Sequence, residues 1–271
     1  MNKQPKVSIV TPSFNQAQFL EATVLSVLEQ DYPQIEYIVM DGGSTDGSIE
    51  ILKRYSDRIS HWVSESDEGQ TDAINKGFDL ATGDIFAWIN SDDLYRPGAI
   101  SEAVDFFLNS PEVGMVYGDA DFIDEDGEWL GTFPAAKTDY RRLRQGYVHI
   151  PQQSTFFRSR LWPLVRPLDN SFFFAMDYDL WVRLAALVPI EYQKRTWAAF
   201  RLHSNAKSMA SADRCWPEMI RVHKRLDGSL FSIIYLKYFV RRLLEPILPY
   251  RIFARLWLQR WALGREIING K

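Results

Sequence analysis

The sequence predicts an α/β protein in which helices flank a mixed, mostly parallel sheet, followed by a C-terminal helical appendage. Three observations support this prediction. Short apolar runs alternate with segments of helical periodicity over the first 110 residues. Polar or glycine-rich residues follow three of these runs, as they do at the carboxyl edge of a Rossmann-like sheet. After residue 110 the alternation stops and signals for a hairpin appear.

The composition is typical of a globular protein with an ample core. The 271 residues are 46% hydrophobic and 24% charged, which fits one large domain or one domain with an appendage. The net charge of −4 argues against nucleic acid or another polyanion as a general partner. Cys215 is the only cysteine, so an internal disulfide is excluded, and the polar start resembles no signal peptide. We therefore expect a cytoplasmic protein.

Four apolar runs and four helical segments make up the first 110 residues. The predicted strands are Val7–Thr11, Glu36–Met40, Ile59–Ser64 and Ile85–Asn90. The predicted helices are 17–30, 48–55, 70–81 and 97–108, the last with Pro97 in its first turn. This half should hold a nucleotide at the carboxyl edge of its parallel strands.

The second half predicts a different order of elements, suited to the other substrate. The predicted strands are 113–117, 154–158 and 190–202, and a helix is predicted over 177–187. Residues 121–123 and 128–133 flank an Asp126-Gly127 turn, which indicates a hairpin.

Two adjacent carboxylates at the end of an apolar run are the most informative feature of the chain. Residues 88–93 read Trp-Ile-Asn-Ser-Asp-Asp, and a buried strand with an acidic end commonly presents a cation at the sheet edge. Carboxylates suit Mg²⁺ or Mn²⁺, and such an ion usually completes its shell with phosphate oxygens. The alternative is that Ser91 and Asp92 cap the helix predicted near Pro97.

Two other predicted strands end in residues that can face the same ligand. They lead into Thr11–Asn15 and Asp41–Gly47, and Asp41 can accept a hydrogen bond from N3 of a uracil. The sequence contains neither a P-loop nor the Gly-x-Gly-x-x-Gly dinucleotide motif, so it supports neither an ATPase nor a dehydrogenase. Without a lysine-bearing phosphate loop, a metal ion is the natural partner of a diphosphate.

Together these motifs resemble family 2 glycosyltransferases of the GT-A fold, of the type that builds bacterial polysaccharides. The resemblance covers about residues 5–205 and is carried, in order, by Val7–Asn15, Asp41–Gly47, Ala81–Asp84 and Asn90–Asp93. It implies an inverting, metal-dependent transferase that takes a sugar from a nucleotide diphosphate donor. It also implies one GT-A domain, with residues 1–110 as its nucleotide-sugar-binding half and residues 111–228 as its acceptor-binding half.

The resemblance further implies roles for individual residues. The nucleotide pocket is lined by Thr11, Pro12 and Asn15. Asp41 meets the base, Asp92 meets the ribose, and Asp93 holds Mn²⁺ or Mg²⁺ on the diphosphate.

Two positions depart from the family pattern. Many members carry Asp where this chain has Asn90, which lowers the charge of the site but leaves the metal-contacting carboxylate. Many carry Arg where this chain has Ile74, so a phosphate contact from that helix is in doubt. Lys76 is the candidate substitute.

The acceptor half carries a candidate catalytic base. Residues 176–184 resemble the family's Glu-Asp motif followed by Asp-Leu-Trp, with Met176 replacing the first acid and Asp177 at the base. An acceptor hydroxyl needs a positioned base as it attacks the anomeric carbon, and one direct displacement inverts that carbon. The alternative role for Asp177 is a helix N-cap.

Four other residues are candidates for metal or acceptor binding. His203 resembles a late histidine that some members use as an additional ligand of the metal or diphosphate, although a lone histidine is more often structural. Gln152 and Gln153 can hydrogen-bond an acceptor sugar, as loop amides often do, or can stabilise a turn. Trp181 is either core or a platform on which a sugar stacks.

Residues 229–271 form a basic tail. It has eight basic and two acidic residues, a net charge of +6, and is rich in large apolar side chains. Arginines interrupt its apolar runs well short of the roughly 18–20 residues that span a membrane. Basic charge beside Trp257 and Trp261 favours a helix lying in a membrane interface. The alternative is a helix packed on the catalytic domain or on a second subunit.

We therefore expect an inverting glycosyltransferase that moves a sugar, from UDP by the family's habit, to a glycan or lipid-linked acceptor in surface polysaccharide synthesis. It would work in the cytoplasm or at the inner face of the cell membrane. The alternative is a scaffold protein that binds a nucleotide sugar without catalysis, but the presence of both Asp93 and Asp177 argues against it. A nucleotidyltransferase is less well supported, because the loop after the first strand is not a Gly-rich loop bearing Arg or Lys.

Overall fold

The computed structural model describes residues 4–133, 135–203, 206–207 and 212–244. The strands are β1 (Val7–Ser13), β2 (Ile35–Asp41), β3 (His61–Ser64), β4 (Ile85–Trp88), β5 (Leu94–Tyr95), β6 (Met115–Ile123), β7 (Trp129–Thr132), β8 (Thr155–Arg158) and β9 (Ile190–Arg201). The helices are α1 (Ala17–Leu28), α2 (Ser48–Arg54), α3 (Gln70–Leu80), α4 (Ala99–Asn109), α5 (Tyr140–Arg144), α6 (Trp162–Val165), α7 (Met176–Leu187), α8 (Ala212–Arg225) and α9 (Ile233–Leu244).

These strands form one mixed sheet flanked by helices, which confirms the predicted fold class. The strand order is β3-β2-β1-β4-β8-β6-β9-β5, and β7 pairs with β6. The first four strands are parallel, and the chain runs outward from β1 to β3 before it returns beside β1 as β4. The carboxyl ends of β1 and β4 therefore flank a topological switch point, which is where α/β sheets bind ligands.

Helices cover both faces of the sheet, and β1 shows how the sequence achieves this. Ile9 belongs to a hydrophobic cluster with α1, α2 and α4, whereas Val10 belongs to a second cluster with α3, α6 and α7. Successive side chains of a strand point to opposite faces. A strand covered on both sides is therefore buried at every position, as β1 is, and its polar residues Ser8, Thr11 and Ser13 are buried together with its apolar ones.

In the second half, two predicted strands prove to be one. β6 is continuous from Met115 to Ile123, because a register shift against β9 between Tyr117 and Ala120 absorbs the polar residues that suggested a break. The predicted hairpin is confirmed by the antiparallel pairing of β6 with β7. Gly127 in its turn has φ +89°, which glycine adopts without steric cost.

The predicted C-terminal helical appendage, residues 229–271, is present in its described part as α9, and α8 precedes it. Ile220 of α8 and the pair Ile234 and Tyr235 of α9 form a small hydrophobic cluster. Trp257 and Trp261, on which the predicted membrane helix partly rests, lie outside the described residues. Within the described part of the chain, no helix is both long and apolar enough to cross a membrane. The division at residues 110 and 228 stays a prediction.

Helix α3 packs closely on β1, and the absence of a side chain at Gly77 permits this close approach. A Cβ at Gly77 would lie 2.5 Å from Cγ1 of Val10, and a valine side chain in a core has little freedom to move. We expect Gly77→Ala to lower the free energy of unfolding by about 1–2 kcal/mol, since overpacking costs more than the gain in helix propensity. Urea denaturation measures this loss. Lys53→Ala, at an exposed site of α2, should change stability by less than about 0.5 kcal/mol; equal effects of the two substitutions would contradict the packing argument.

Candidate active site

A cavity of about 890 Å³ lies at the switch point between β1 and β4. Its wall combines the ends of these strands with the start of α3, the loop before β8 and the start of α7. The polar and charged side chains at its surface include Asp67, Gln70, Asn90, Asp92, Asp177 and Lys207. Candidate residues from both halves of the sequence therefore share one cavity.

The predicted nucleotide-binding residues in and just after β1 differ in their access to the cavity, and only Pro12 lines it. Thr11 is fully buried, and its hydroxyl accepts a hydrogen bond from the hydroxyl of Tyr37 at 3.1 Å. Asn15 has φ +50°. Its backbone amide donates to Oγ of Ser44 at 2.7 Å, and its side-chain Oδ1 accepts a hydrogen bond from the backbone amide of Thr45. Asn15 thus joins the loop after β1 to the loop after β2.

Asp41 at the end of β2 organises its own loop. The side chain is only 2% exposed. Its carboxylate accepts hydrogen bonds from the amides of Gly43 and Ser44 and from the hydroxyls of Ser44 and Ser64. Asp41 is not among the residues that line the cavity, so its contact with a base stays a prediction.

Asp67 is a cavity carboxylate that the sequence analysis missed. It follows β3 and lines the cavity, and its Oδ1 accepts a hydrogen bond from the amide of Gly69 at 2.8 Å. Its carboxylate lies against Gly42, where a Cβ would come within 2.8 Å of Oδ2. The signal was available, because the third parallel strand ends at the same sheet edge as the other three.

Asp92 and His203 form the closest acid–imidazole pair of the site. Oδ2 of Asp92 lies 3.0 Å from Nε2 of His203, and Asp92 lines the cavity. His203 is buried, and its ring packs 4.7 Å from the ring of Phe19, between centroids. The late histidine, predicted from resemblance alone, is therefore beside one of the two predicted carboxylates.

Asp93 occupies a different place from the one expected for a metal ligand. It is fully buried and is not part of the cavity surface. Its carboxylate accepts hydrogen bonds from the amide of Arg201 at 3.0 Å and from Nδ2 of Asn90 at 3.1 Å. Burial, and secondly the negative charge of Asp92, raise the pKa of Asp93 well above its usual range. The expected order of the two carboxylates is thus reversed, with Asp92 facing the cavity and Asp93 inside the protein.

The pair formed by Asp92 and His203 fits a divalent cation. A carboxylate oxygen and an imidazole nitrogen 3.0 Å apart can bind one ion together. The described residues contain no group of three His, Cys, Asp or Glu side chains that could hold a metal. Two protein ligands suffice where phosphate oxygens and water complete the shell.

Asp177 lies in the first turn of α7 and lines the cavity. Burial raises the pKa of its carboxyl group to about 6, and the hydrogen bond from the amide of Tyr178 opposes that rise. A carboxyl group with a pKa near the working pH is suited to accept a proton during a reaction.

The N-cap alternative for Asp177 does not hold. The helix is capped at Ala175, without a side-chain cap. Glu218 of α8 instead accepts hydrogen bonds from the amides of Phe173, Phe174 and Ala175 at 2.7–3.0 Å. Asp177 accepts a hydrogen bond from the backbone amide of Tyr178 at 2.6 Å, and its side chain lines the cavity.

Two predicted contacts with substrate are corrected by the structure. Trp181 is fully buried and stacks on Trp88, with 5.3 Å between ring centroids. It is a core residue that offers no face to a sugar. Lys76 forms ion pairs with Asp72 at 3.0 Å and Glu65 at 3.8 Å, and it does not line the cavity.

Gln152 and Gln153 line the cavity, but their side chains bond mainly to the protein. Nε2 of Gln152 donates to the carbonyl oxygen of Trp88 at 2.7 Å, and its Oε1 accepts from Asn90 at 3.3 Å. Gln153 hydrogen-bonds to Asp93. Both amides therefore hold the strand end that carries Asp92, and a direct contact with an acceptor stays a prediction.

Apolar side chains make up a large part of the cavity wall. They include Phe133, Val148, Ile150, Phe173, Phe174, Met176, Phe200 and Met219. The cavity therefore combines polar side chains at the strand ends with a large apolar surface.

Comparisons with known proteins agree with this arrangement. A sequence model of the family "Glycosyl transferase family 2" matches residues 8–167. An uncharacterized glycosyltransferase of Mycobacterium tuberculosis is 34% identical over 191 residues, which cover 69% of this chain and 71% of that protein. A PGL/p-HBAD biosynthesis glycosyltransferase of Mycobacterium bovis is 28% identical over 183 residues, which cover 66% of this chain and 69% of that protein.

Solved structures show the same fold at low sequence identity. S. aureus TarS 1–349 in complex with UDP matches with a TM-score of 0.66 and 15% identity, over 84% of this chain and 66% of that one. The chain spans 40% of the longer TarS chain. The mannosyltransferase PcManGT of Pyrobaculum calidifontis, in complex with GDP-Man and Mn²⁺, matches with a TM-score of 0.61 and 19% identity, over 81% of this chain and 65% of that one.

The matched family covers more than half of the chain and includes the strand ends that build the cavity. This protein belongs to glycosyltransferase family 2.

Proposed function

We propose that the protein is a metal-dependent, inverting glycosyltransferase that takes a sugar from UDP and transfers it to a hydroxyl of a glycan or lipid-linked acceptor in surface polysaccharide synthesis. The observation that carries this proposal is that Asp92, which pairs with the buried His203, and Asp177 line one cavity. The first pair suits a cation on a diphosphate, and the second group suits a proton acceptor.

The donor is proposed from chemistry and from relatives. A structural neighbour, TarS, is known with UDP and with UDP-GlcNAc, and another, PcManGT, with GDP-Man and Mn²⁺. Asp67 at the cavity surface offers a carboxylate that can accept from N3 of uracil. Uridine is therefore our proposal for the base.

In the proposed mechanism, Asp92 and His203 would hold a Mn²⁺ or Mg²⁺ ion. Asp177 accepts the proton of the acceptor hydroxyl as the hydroxyl oxygen bonds to the anomeric carbon. The bond from that carbon to the diphosphate oxygen breaks in the same displacement, which inverts the carbon. When bound, the ion offsets the negative charge that develops on the leaving diphosphate. A nitrogen ligand beside the carboxylate favours Mn²⁺ over the harder Mg²⁺.

The apolar part of the cavity wall supports an acceptor that carries an apolar group. A free glycan needs many hydrogen-bonding partners, whereas the amides of Gln152 and Gln153 are already bonded to the protein. Aromatic and aliphatic side chains instead provide area for hydrophobic contact. A lipid-linked acceptor fits this wall.

We place the protein at the inner face of the cell membrane through α9. Four apolar side chains of this helix, Leu236, Phe239, Val240 and Leu243, are each more than 45% exposed, and their spacing puts them on one helix face. Lys237 and Arg242 lie on the same helix. An exposed apolar face with basic neighbours suits an anionic lipid surface.

The metal site is tested by thermal shift with UDP, with and without Mn²⁺. We expect Mn²⁺ to increase the stabilisation by UDP, because a tenfold lower Kd adds about 1.4 kcal/mol at saturating ligand. Asp92→Asn and His203→Gln should each remove this increment. Asp105→Asn, at an exposed carboxylate on α4, is the control and should keep it. An increment that survives both site variants would contradict the assignment.

Asp177→Asn tests the base. Because an amide cannot accept the proton, we expect release of UDP from the sugar donor to fall by about 10²–10⁴-fold, with donor affinity nearly unchanged. Only the unprotonated carboxylate is active, so the wild-type rate should fall with decreasing pH below about 6, and this limb should be absent from the residual rate of the variant. Asp179→Asn, on the same helix but ion-paired with Arg183, should keep the limb. Normal turnover by Asp177→Asn would exclude Asp177 as the base.

The membrane surface is tested by co-sedimentation with anionic liposomes. The triple variant Leu236→Ser, Phe239→Ser, Leu243→Ser should lose binding, because it removes the apolar area that inserts into the interface. Leu108→Ser changes a half-exposed leucine of α4, which is far from α9 in the sequence, and this variant should bind as the wild type does. Wild-type binding should also weaken with salt. If the triple variant still co-sediments, or if it changes only the oligomeric state, the face serves another purpose.

A further inference from the structure

The cavity has an unbalanced set of charges. Three carboxylates, those of Asp67, Asp92 and Asp177, lie at its surface. Among the described residues that line it, Lys207 is the only basic side chain. A diphosphate adds further negative charge, and the proposed cation offsets only part of it. Lys207 is therefore the one side chain of the described cavity wall that can pair with a phosphate directly.

Lys207 is held at a fixed place by uncharged groups. Its Nζ donates to Oε1 of Gln70 at 2.8 Å and lies 4.0 Å from the centroid of the Phe173 ring. Gln70 in turn donates from Nε2 to Oδ1 of Asn90 at 2.6 Å. Since Asn90 stands two residues before Asp92, this chain of hydrogen bonds connects the ammonium group to the strand end that carries the proposed metal ligand.

No carboxylate oxygen of the described residues lies within the 4.0 Å ion-pair distance of Lys207 Nζ. Burial lowers the pKa of Lys207 to about 8, while the more distant charges of Asp177 and Glu218 oppose the decrease. A cation that has given up much of its hydration and has no close counter-ion gains more than an exposed lysine from an arriving anion. Lys76, in contrast, is already ion-paired outside the cavity.

We infer that Lys207 binds the diphosphate of the nucleotide-sugar donor, on the opposite side of the phosphates from the Asp92–His203 pair, and that Gln70 is the positioning residue for its ammonium group. This inference rests on the proposed function and deepens it. It supplies the basic phosphate contact that Ile74 leaves out of α3 and that Lys76 does not provide. The diphosphate is already negative in the donor, and its negative charge increases when the bond to the sugar breaks. The contact with Lys207 therefore stabilises both the bound donor and the leaving group.

The test is calorimetric titration in the presence of Mn²⁺ with UDP, GDP and uridine, using whichever diphosphate the wild type binds more tightly. Lys207→Met should weaken diphosphate binding by about 10–100-fold, the range for loss of one charged hydrogen bond, and should leave uridine binding unchanged. Lys207→Arg should restore most of the affinity because it keeps the charge. Lys76→Met is the matched control and should bind as the wild type does.

The outcomes separate the two claims. If the wild type binds a diphosphate and Lys207→Met binds it equally well, this inference is wrong while the proposed function stands. If Lys207→Met weakens uridine and the diphosphate by the same factor, the lysine shapes the cavity and does not contact phosphate, which also overturns the inference. If the wild type binds neither diphosphate, both claims are wrong. Gln70→Leu should give a smaller loss of diphosphate affinity than Lys207→Met, as a positioning role requires.

Discussion

The carboxylate of Asp93 joins the two halves of the site. It accepts a hydrogen bond from the backbone amide of Arg201, at the end of β9, while the guanidinium Nε of Arg201 donates to the carbonyl oxygen of Asp92 at 2.9 Å. These bonds hold the segment after β4 against the end of β9. Asp92 precedes Asp93 by one residue and His203 follows Arg201 by two, so the same junction brings the carboxylate of Asp92 to the imidazole of His203. A buried carboxylate with satisfied hydrogen bonds thus positions an accessible one.

On the acceptor side of the cavity, Glu218 and Asp177 likewise have different roles. Glu218 of α8 accepts hydrogen bonds from the backbone amides before α7, and Asp177 in the first turn of α7 lines the cavity. The environment that raises the pKa of Asp177 also lowers that of Lys207, because both groups are withdrawn from water on the same side of the cavity. A cavity in which the pKa of a carboxyl group is raised and that of a lysine is lowered is suited to bind a charged ligand.

The sequence predicted the fold, and it did so from features that depend on local pattern. Apolar runs and helical spacing located all four parallel strands, most clearly β4, which is buried at every position and is apolar throughout. The register shift in β6 was not predictable, because the partner strand β9 lies some 70 residues away and supplies the bonds that keep polar residues in the strand.

The site was predicted less completely, for reasons that are specific to each residue. Asp92 and Asp93 are adjacent carboxylates, and only the contact of Arg201 with Asp93 decides which of them faces the ligand. Trp181 has an aromatic ring of the kind that stacks on sugars, but the ring is buried in the core against Trp88 and cannot contact a ligand. Lys207 belongs to no motif that indicates phosphate binding, and only its place in the cavity wall suggests that role.

The central claim is that one ion contacts both the protein, through Asp92 and His203, and the diphosphate of the donor. Electron–nuclear double resonance of Mn²⁺ in the complex with UDP tests it most directly. The account predicts coupling of the manganese to a ¹⁴N nucleus and to ³¹P in the same complex, with the nitrogen coupling lost in His203→Gln. Phosphorus coupling without nitrogen coupling in the wild-type protein would contradict it.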